Sequence, residues 1–140
     1  MNKPRALILD DEPDIRELLE LTLARMGVET RSAGSLGEAY GALADEAFDL
    51  CLADMRLPDG DGIDLVRRIN AEHPDTPVAV ITAHGNMDSA IEALKAGAFD
   101  FVSKPVDLPV LRGLVETALR LNKPEGKKGS DPNFPEEKLG

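Results

Sequence analysis

The chain has 140 residues and carries a net charge of −10, with no tryptophan and few aromatic residues. That length suits one domain with a core of real size. The negative charge disfavours nucleic acid and anionic membranes, both of which attract basic surfaces, and the scarcity of aromatics removes stacking platforms for single strands.

The first apolar run, Leu7-Ile8-Leu9, ends abruptly in Asp10-Asp11-Glu12. Ionised carboxylates are costly to bury, so the acids are expected at the exit of a buried strand. Ile15, Leu18, Leu19, Thr22, Leu23 and Met26 then repeat at helical spacing, with Pro13 suited to the first turn and Gly27 to the end. Val28 to Ala33 reads as a half-exposed edge strand. Ser35 and Glu38 have the spacing of a capping box, ahead of the stripe Leu36, Ala39, Tyr40, Leu43.

A strand around Asp49 to Ala53 leads to Asp54 and to the loop Met55 to Gly62. Ile63, Val66 and Ile69 mark a helix that stops before Pro74. The run Val78 to Thr82 ends in a hydroxyl, and Met87, Ala90, Ile91 and Leu94 follow on one helical face. A last strand, Phe99 to Ser103, ends at Lys104-Pro105. Asp107 then suits the cap of a helix carrying Leu111, Leu114, Val115 and Ala118. Five strand–helix repeats with continuous apolar strands imply a parallel sheet covered on both faces, with the ligand site outside the carboxyl ends of the strands. Residues 1–123 are expected to be this domain. Residues 124–140, rich in Gly, Pro and charge, are expected to be a polar linker or tail.

Four loaded strand ends would then meet at one edge. Asp10, Asp11 and Asp54 as neighbours repel by about 4 kcal/mol per pair at ~4 Å and an effective dielectric of ~20. A hard cation such as Mg2+, which prefers oxygen ligands, relieves that repulsion. One Cys and two His make a soft-metal site a poor fit. A carboxylate beside Mg2+ can attack phosphorus to give an acyl phosphate. Lys104 would add a second positive charge and Thr82 a hydrogen bond to a phosphoryl oxygen. Asp54 is therefore the candidate phosphoacceptor. Cys51 is expected to be a buried strand residue, and Glu12 and Asp59 to be solvated.

The acidic pair Asp10-Asp11, the segment Asp54-Met55-Arg56-Leu57-Pro58-Asp59-Gly60-Asp61-Gly62, Thr82-Ala83 and Lys104-Pro105 together resemble the receiver domain of two-component response regulators, over about residues 4 to 121. Each piece alone is weak; all four in order, each at a strand end, are specific. The resemblance implies a flavodoxin-like (βα)5 three-layer sandwich, with a five-stranded parallel sheet in the order 2-1-3-4-5. It implies that Asp54 accepts a phosphoryl group from a sensor histidine kinase, with Mg2+ held by Asp10, Asp11, Asp54 and the backbone carbonyl of Arg56. It further implies that Lys104 contacts the phosphoryl group, that the peptide to Pro105 is cis, and that Thr82 and Phe101 act as the switch. Phe101 stands where the family often has tyrosine.

Asp54 to Pro58, Thr82 to Gly85 and Lys95 to Phe101 resemble NtrC-type receivers, and among them regulators of type IV pilus genes. In such proteins the receiver precedes an AAA+ ATPase acting on sigma-54 polymerase and a DNA-binding domain. Those output domains are absent from this sequence, which has no Walker A glycine loop and no basic recognition helix. A phosphorylation-dependent homodimer is expected, with no direct contact to nucleic acid or membrane.

A single Cys, the absence of a ~20-residue apolar run and a short N-terminal apolar stretch together point to the cytoplasm. A stand-alone receiver is the alternative. A Mg2+-dependent phosphatase with an Asp nucleophile is disfavoured, because that class needs a second Asp two residues on, where this chain has Arg56. The chain is thus read as a switch with only self-phosphorylation and self-dephosphorylation chemistry, not as an enzyme.

Overall fold

A computed structural model describes residues 3–83 and 86–121. The expected tail from 124 lies outside the described residues. Strands β1 (Arg5–Leu9), β2 (Glu29–Ala33), β3 (Leu50–Asp54), β6 (Val78–Thr82) and β7 (Asp100–Ser103) form one sheet in the order β2-β1-β3-β6-β7. Every neighbouring pair is parallel. Among these five strands the order is 2-1-3-4-5, so the expected flavodoxin-like arrangement is the observed one. Helices α1 (Pro13–Arg25), α2 (Leu36–Asp45), α3 (Gly62–Glu72), α4 (Met87–Ala96) and α5 (Leu108–Leu121) cover both faces. The stretch expected as a plain loop after Asp54 holds two short antiparallel strands, β4 (Arg56–Leu57) and β5 (Gly60–Asp61).

Side chains alternate across a strand, and the core splits accordingly. Leu7, Leu9, Cys51, Ala53, Val78 and Val80 pack with residues of α2, α3 and α4. Ala6, Ile8, Leu50, Leu52, Ala79, Ile81 and Val102 pack with residues of α1 and α5. The central strands β3 and β6 are buried along their whole length, which is why they read as unbroken apolar runs.

The helix ends follow local chemistry. α1 begins at Pro13, whose missing N–H costs nothing in a first turn, and is followed by Gly27 at φ +80°. Ser35 Oγ accepts from the Glu38 amide at 3.2 Å, and Glu38 Oε1 accepts from the Gly34 amide at 2.7 Å. Asp107 Oδ1 accepts from the Val110 amide at 3.2 Å, as a cap for α5.

One expected face is divided. α4 turns Ala90 and Ala93 into the core but leaves Met87, Ile91 and Leu94 exposed at 57%, 45% and 39%. The narrow alanine stripe satisfies the packing beneath α4. The larger residues, at i, i+4 and i+7, form a separate outward row. No helix among the described residues is long and apolar enough to cross a membrane.

Candidate functional site

The sheet's alternation builds the site. Asp54 continues the Leu50, Leu52 series, Asp10 the Ala6, Ile8 series, and Lys104 follows Val102 by two. All three therefore extend the α1/α5 side of the sheet. Thr82 continues the Val78, Val80 series toward α4. Register aligns the ends: Leu9 pairs with Ala53, Asp54 with Ile81, and Thr82 with Ser103.

Lys104 draws three carboxylates together. Its Nζ lies 2.8 Å from Glu12 Oε1, 3.2 Å from Asp54 Oδ2 and 3.6 Å from Asp10 Oδ2. The Lys104 amide donates to the Thr82 carbonyl at 2.8 Å, and the Lys104–Pro105 peptide is cis. Asp10 is fully buried and Asp54 only 7% exposed. Asp10 Oδ1 accepts from the Glu12 amide at 2.9 Å, whereas its buried Oδ2 has no hydrogen-bond partner. Asp54 Oδ1 lies 3.5 Å from the Arg56 amide.

Burial pushes the Asp10 carboxyl up to about 6. The Asp54 and Glu12 charges act in the same direction, and the Glu12 amide and Lys104 offset only part of the rise. For Lys104, partial burial alone would lower the ammonium. Glu12 and Asp54, with Asp10 behind them, outweigh that and hold it above its ordinary value.

Ligand-capable oxygens of Asp10, Glu12 and Asp54 lie within 4.8 Å of one another. Beside them is an open cleft of about 240 Å³ walled by Asp11, Glu12, Asp54, Arg56, Asn86 and Lys104 among others. Asp11 is exposed on that wall. An all-oxygen donor set with an unpartnered buried carboxylate oxygen fits a hard divalent cation. Glu12 is solvent-exposed as expected, but it also has a partner the sequence did not suggest. Its side chain pairs with Lys104, across 92 residues of sequence, a contact that no local pattern encodes.

Two further residues position Asp54. A Cβ at Gly62 would sit 2.2 Å from the Asp54 carbonyl oxygen, and the Gly62 amide donates to the Met55 carbonyl at 2.9 Å. The loop thus turns back against the strand end, where only glycine fits. Asp59, also expected to be solvated, accepts from the Leu36 amide at 2.8 Å and the Gly37 amide at 3.0 Å. It caps α2 and ties the loop after Asp54 to that helix. Those two amides hold its carboxyl below the usual range.

On the other side of the sheet end, Thr82 is buried and lines a cavity of about 80 Å³ with Asn86, Met87, Phe101 and Ser103. Phe101 is half-buried against the α2–α4 core.

A parallel sheet in this order, with an acidic cluster and a lysine at its carboxyl edge, defines a signalling receiver. Residues 6–116 match the response regulator receiver domain, and the chain belongs to that family. It is 63% identical over 133 residues to the response regulator protein PilR of Pseudomonas aeruginosa, which covers 95% of this chain and 30% of that protein. It is 36% identical over 119 residues to the DNA-binding transcriptional regulator NtrC of Proteus hauseri, covering 85% of this chain and 25% of that one. The chain therefore spans less than a third of these curated relatives, and it is an NtrC-type receiver. Among solved structures, the beryllofluoride-activated NtrC4 receiver domain dimer superposes with a TM-score of 0.80 at 33% identity, over 85% of this chain and 98% of that one.

Proposed function

We propose that this receiver accepts a phosphoryl group on Asp54 from a sensor histidine kinase and passes the change to α4. The observation that carries the reading is the placement of Asp54. It is nearly buried at the end of the central strand β3, with Lys104 at 3.2 Å and an unpartnered carboxylate oxygen of Asp10 alongside.

Asp10, Asp11, Asp54 and the Arg56 carbonyl would hold Mg2+, and Glu12 stands near enough to contribute charge. When bound, the ion neutralises charge on the phosphoryl oxygens. An Asp54 oxygen forms the new bond to phosphorus as the donor's nitrogen–phosphorus bond breaks. The electron pair stays with the donor imidazole, which takes a proton from water. Lys104 stabilises the oxygens gathering at Asp54, since an ammonium held above its ordinary pKa keeps its charge throughout. Thr82 donates its hydroxyl to one of those oxygens.

Reorientation of Thr82 changes the small cavity that it shares with Phe101 and Met87. Met87 heads the exposed row Met87, Ile91, Leu94, so that row is the surface offered to a second phosphorylated copy. The NtrC4 receiver dimer, beryllofluoride-activated, supports this reading. In the whole protein, the output would be sigma-54-dependent transcription through AAA+ and DNA-binding domains, in keeping with the PilR and NtrC relatives. The cytoplasm is the compartment where such a kinase and polymerase would be met.

The test is intact mass after acetyl phosphate and Mg2+, for the native chain and Asp54→Asn. One phosphoryl addition that requires Mg2+ and disappears in the variant is expected. No addition to the native chain would overturn the reading.

A further inference from the structure

Glu12 occupies the N-cap position of α1, with an extended backbone (φ −94°, ψ 114°), yet its side chain makes no capping hydrogen bond. The Glu12 amide is given to Asp10 Oδ1. The carboxylate instead reaches across the mouth of the cleft and takes Lys104 Nζ at 2.8 Å, closer than Asp54 at 3.2 Å. Glu12 is more than half exposed, whereas Lys104 is mostly covered. The exposed partner is thus free to move and the covered one is not. Lys104 is therefore shared between a carboxylate of the reaction centre and one at the rim.

We propose that Glu12 is a positioning residue that competes with the phosphoryl group for Lys104 and so sets how readily Asp54 is phosphorylated. The proposal rests on Asp54 being the phosphoacceptor. With a small donor such as acetyl phosphate, an Asp54 oxygen bonds to phosphorus while the donor's phosphorus–oxygen bond breaks, and acetate leaves with the electron pair. The oxygens carried in with phosphorus need Lys104. Lys104 must then give up Glu12, whose own charge repels the incoming anion. In the unphosphorylated cleft the same carboxylate acts the other way on a cation: it shares Lys104 with Asp54 and Asp10, whose ion pairs at 3.2 and 3.6 Å are longer than its own, and its negative charge adds to theirs.

Two measurements follow, on native protein, Glu12→Gln and Glu12→Asp. At saturating Mg2+ and low salt, Glu12→Gln should gain the phosphoryl mass about three- to tenfold faster than native, the scale of one unit charge a few ångströms away in a wet cleft. The advantage should shrink near 1 M salt, where the screening length is about 3 Å. Glu12→Asp, which keeps the charge but is too short for the contact, should fall between the two. By calorimetry, Mg2+ should bind Glu12→Gln about two- to fivefold more weakly, opposite in direction to the rate effect. A purely structural role for Glu12 would produce neither the salt dependence nor that opposition. Equal or slower phosphorylation of Glu12→Gln, a salt-independent advantage, or unchanged Mg2+ affinity would overturn the proposal while native protein still gains mass. No mass gain in native protein would remove the phosphoacceptor reading, and this proposal with it.

Discussion

Asp10 offers the most direct energetic test, because the fold holds an ionised carboxylate where it is least comfortable. Burial raises the Asp10 carboxyl from 3.8 to about 6, a shift of roughly two units. At ~1.4 kcal/mol per unit, ionised Asp10 destabilises the metal-free fold at neutral pH by at most about 3 kcal/mol. The cleft beside it is open to water, so about 1–2 kcal/mol is the expected share. Asp10→Asn keeps an oxygen for the Glu12 amide, which the native carboxylate satisfies at 2.9 Å, and removes the charge. With chelator present at pH 7.5, Asp10→Asn should therefore be more stable than native by about 1–2 kcal/mol, or roughly 3–8 °C in Tm.

The sign fixes the pH window. The folded state holds the Asp10 proton more tightly than the unfolded state between about pH 4 and 6, so this group's contribution falls as pH rises through that window. The gain from Asp10→Asn should be complete near pH 7.5, fall to about a third of that at pH 4.5, and vanish below the unfolded pKa of 3.8. Urea melts at the two pH values measure it. A destabilised variant at pH 7.5, or a gain of equal size at both pH values, would refute the reasoning. A cation held by the folded cleft and not by the unfolded chain stabilises the fold by mass action. Adding Mg2+ should raise the native protein more than the variant and narrow the gap.

Gly62→Ala would push a methyl group to 2.2 Å from the Asp54 carbonyl oxygen. A loss of about 2–4 kcal/mol in urea melts is expected, together with slower phosphorylation than an exposed control such as Arg67→Ala. Asp59→Ala should lower Tm at pH 7, with the two proteins converging as pH falls through the carboxylate range. Asp59 is held below its ordinary value, so its contribution is present above the unfolded pKa and lost in acid; parallel curves would count against the cap. Ile91→Asp should abolish dimerisation of phosphodonor-treated protein in analytical ultracentrifugation while leaving the phosphoryl mass gain intact. Asp11→Asn should weaken Mg2+ binding several-fold by calorimetry, because Asp11 lies on the cleft wall; unchanged affinity would remove it from the ligand set.

Much of this architecture is legible in the chain because strand ends carry local signatures. Leu9 before Asp10 and Ala53 before Asp54 mark the points where a buried strand must surface, since ionised carboxylates resist burial. Periodicity likewise locates Leu111, Leu114, Val115 and Ala118, all buried as expected. Periodicity is blind to which neighbour covers a face, however. Met87, Ala90, Ile91 and Leu94 read as one stripe, but the space beneath α4 takes alanines and leaves the larger side chains outside. Contacts between distant residues leave no mark of any kind. Asp59 is the exposed turn residue and Glu12 the exposed acid that they look like, but only the fold shows that they also reach the start of α2 and Lys104.

The alternation of the sheet also explains how one edge can hold both a chemical site and its readout. Asp10, Asp54 and Lys104 extend the strand positions that pack on α1 and α5, whereas Thr82 extends those that pack toward α4. The chemistry and the outward row on α4 are thus on opposite sides of a sheet one residue thick. Thr82 touches both: its carbonyl receives the Lys104 amide at 2.8 Å, and it lines the cavity with Phe101 and Met87. Were Asp54 phosphorylated as proposed, the change would not have to deform the core to reach α4. In the proposed switch, the Thr82 hydroxyl would be drawn across the strand end toward Asp54, and so out of the 80 Å³ space that adjoins the first residue of the exposed row. With Phe in place of Tyr at 101, a ring swung outward in the proposed switch would have no hydroxyl to anchor it, so the balance between two positions would rest on packing alone.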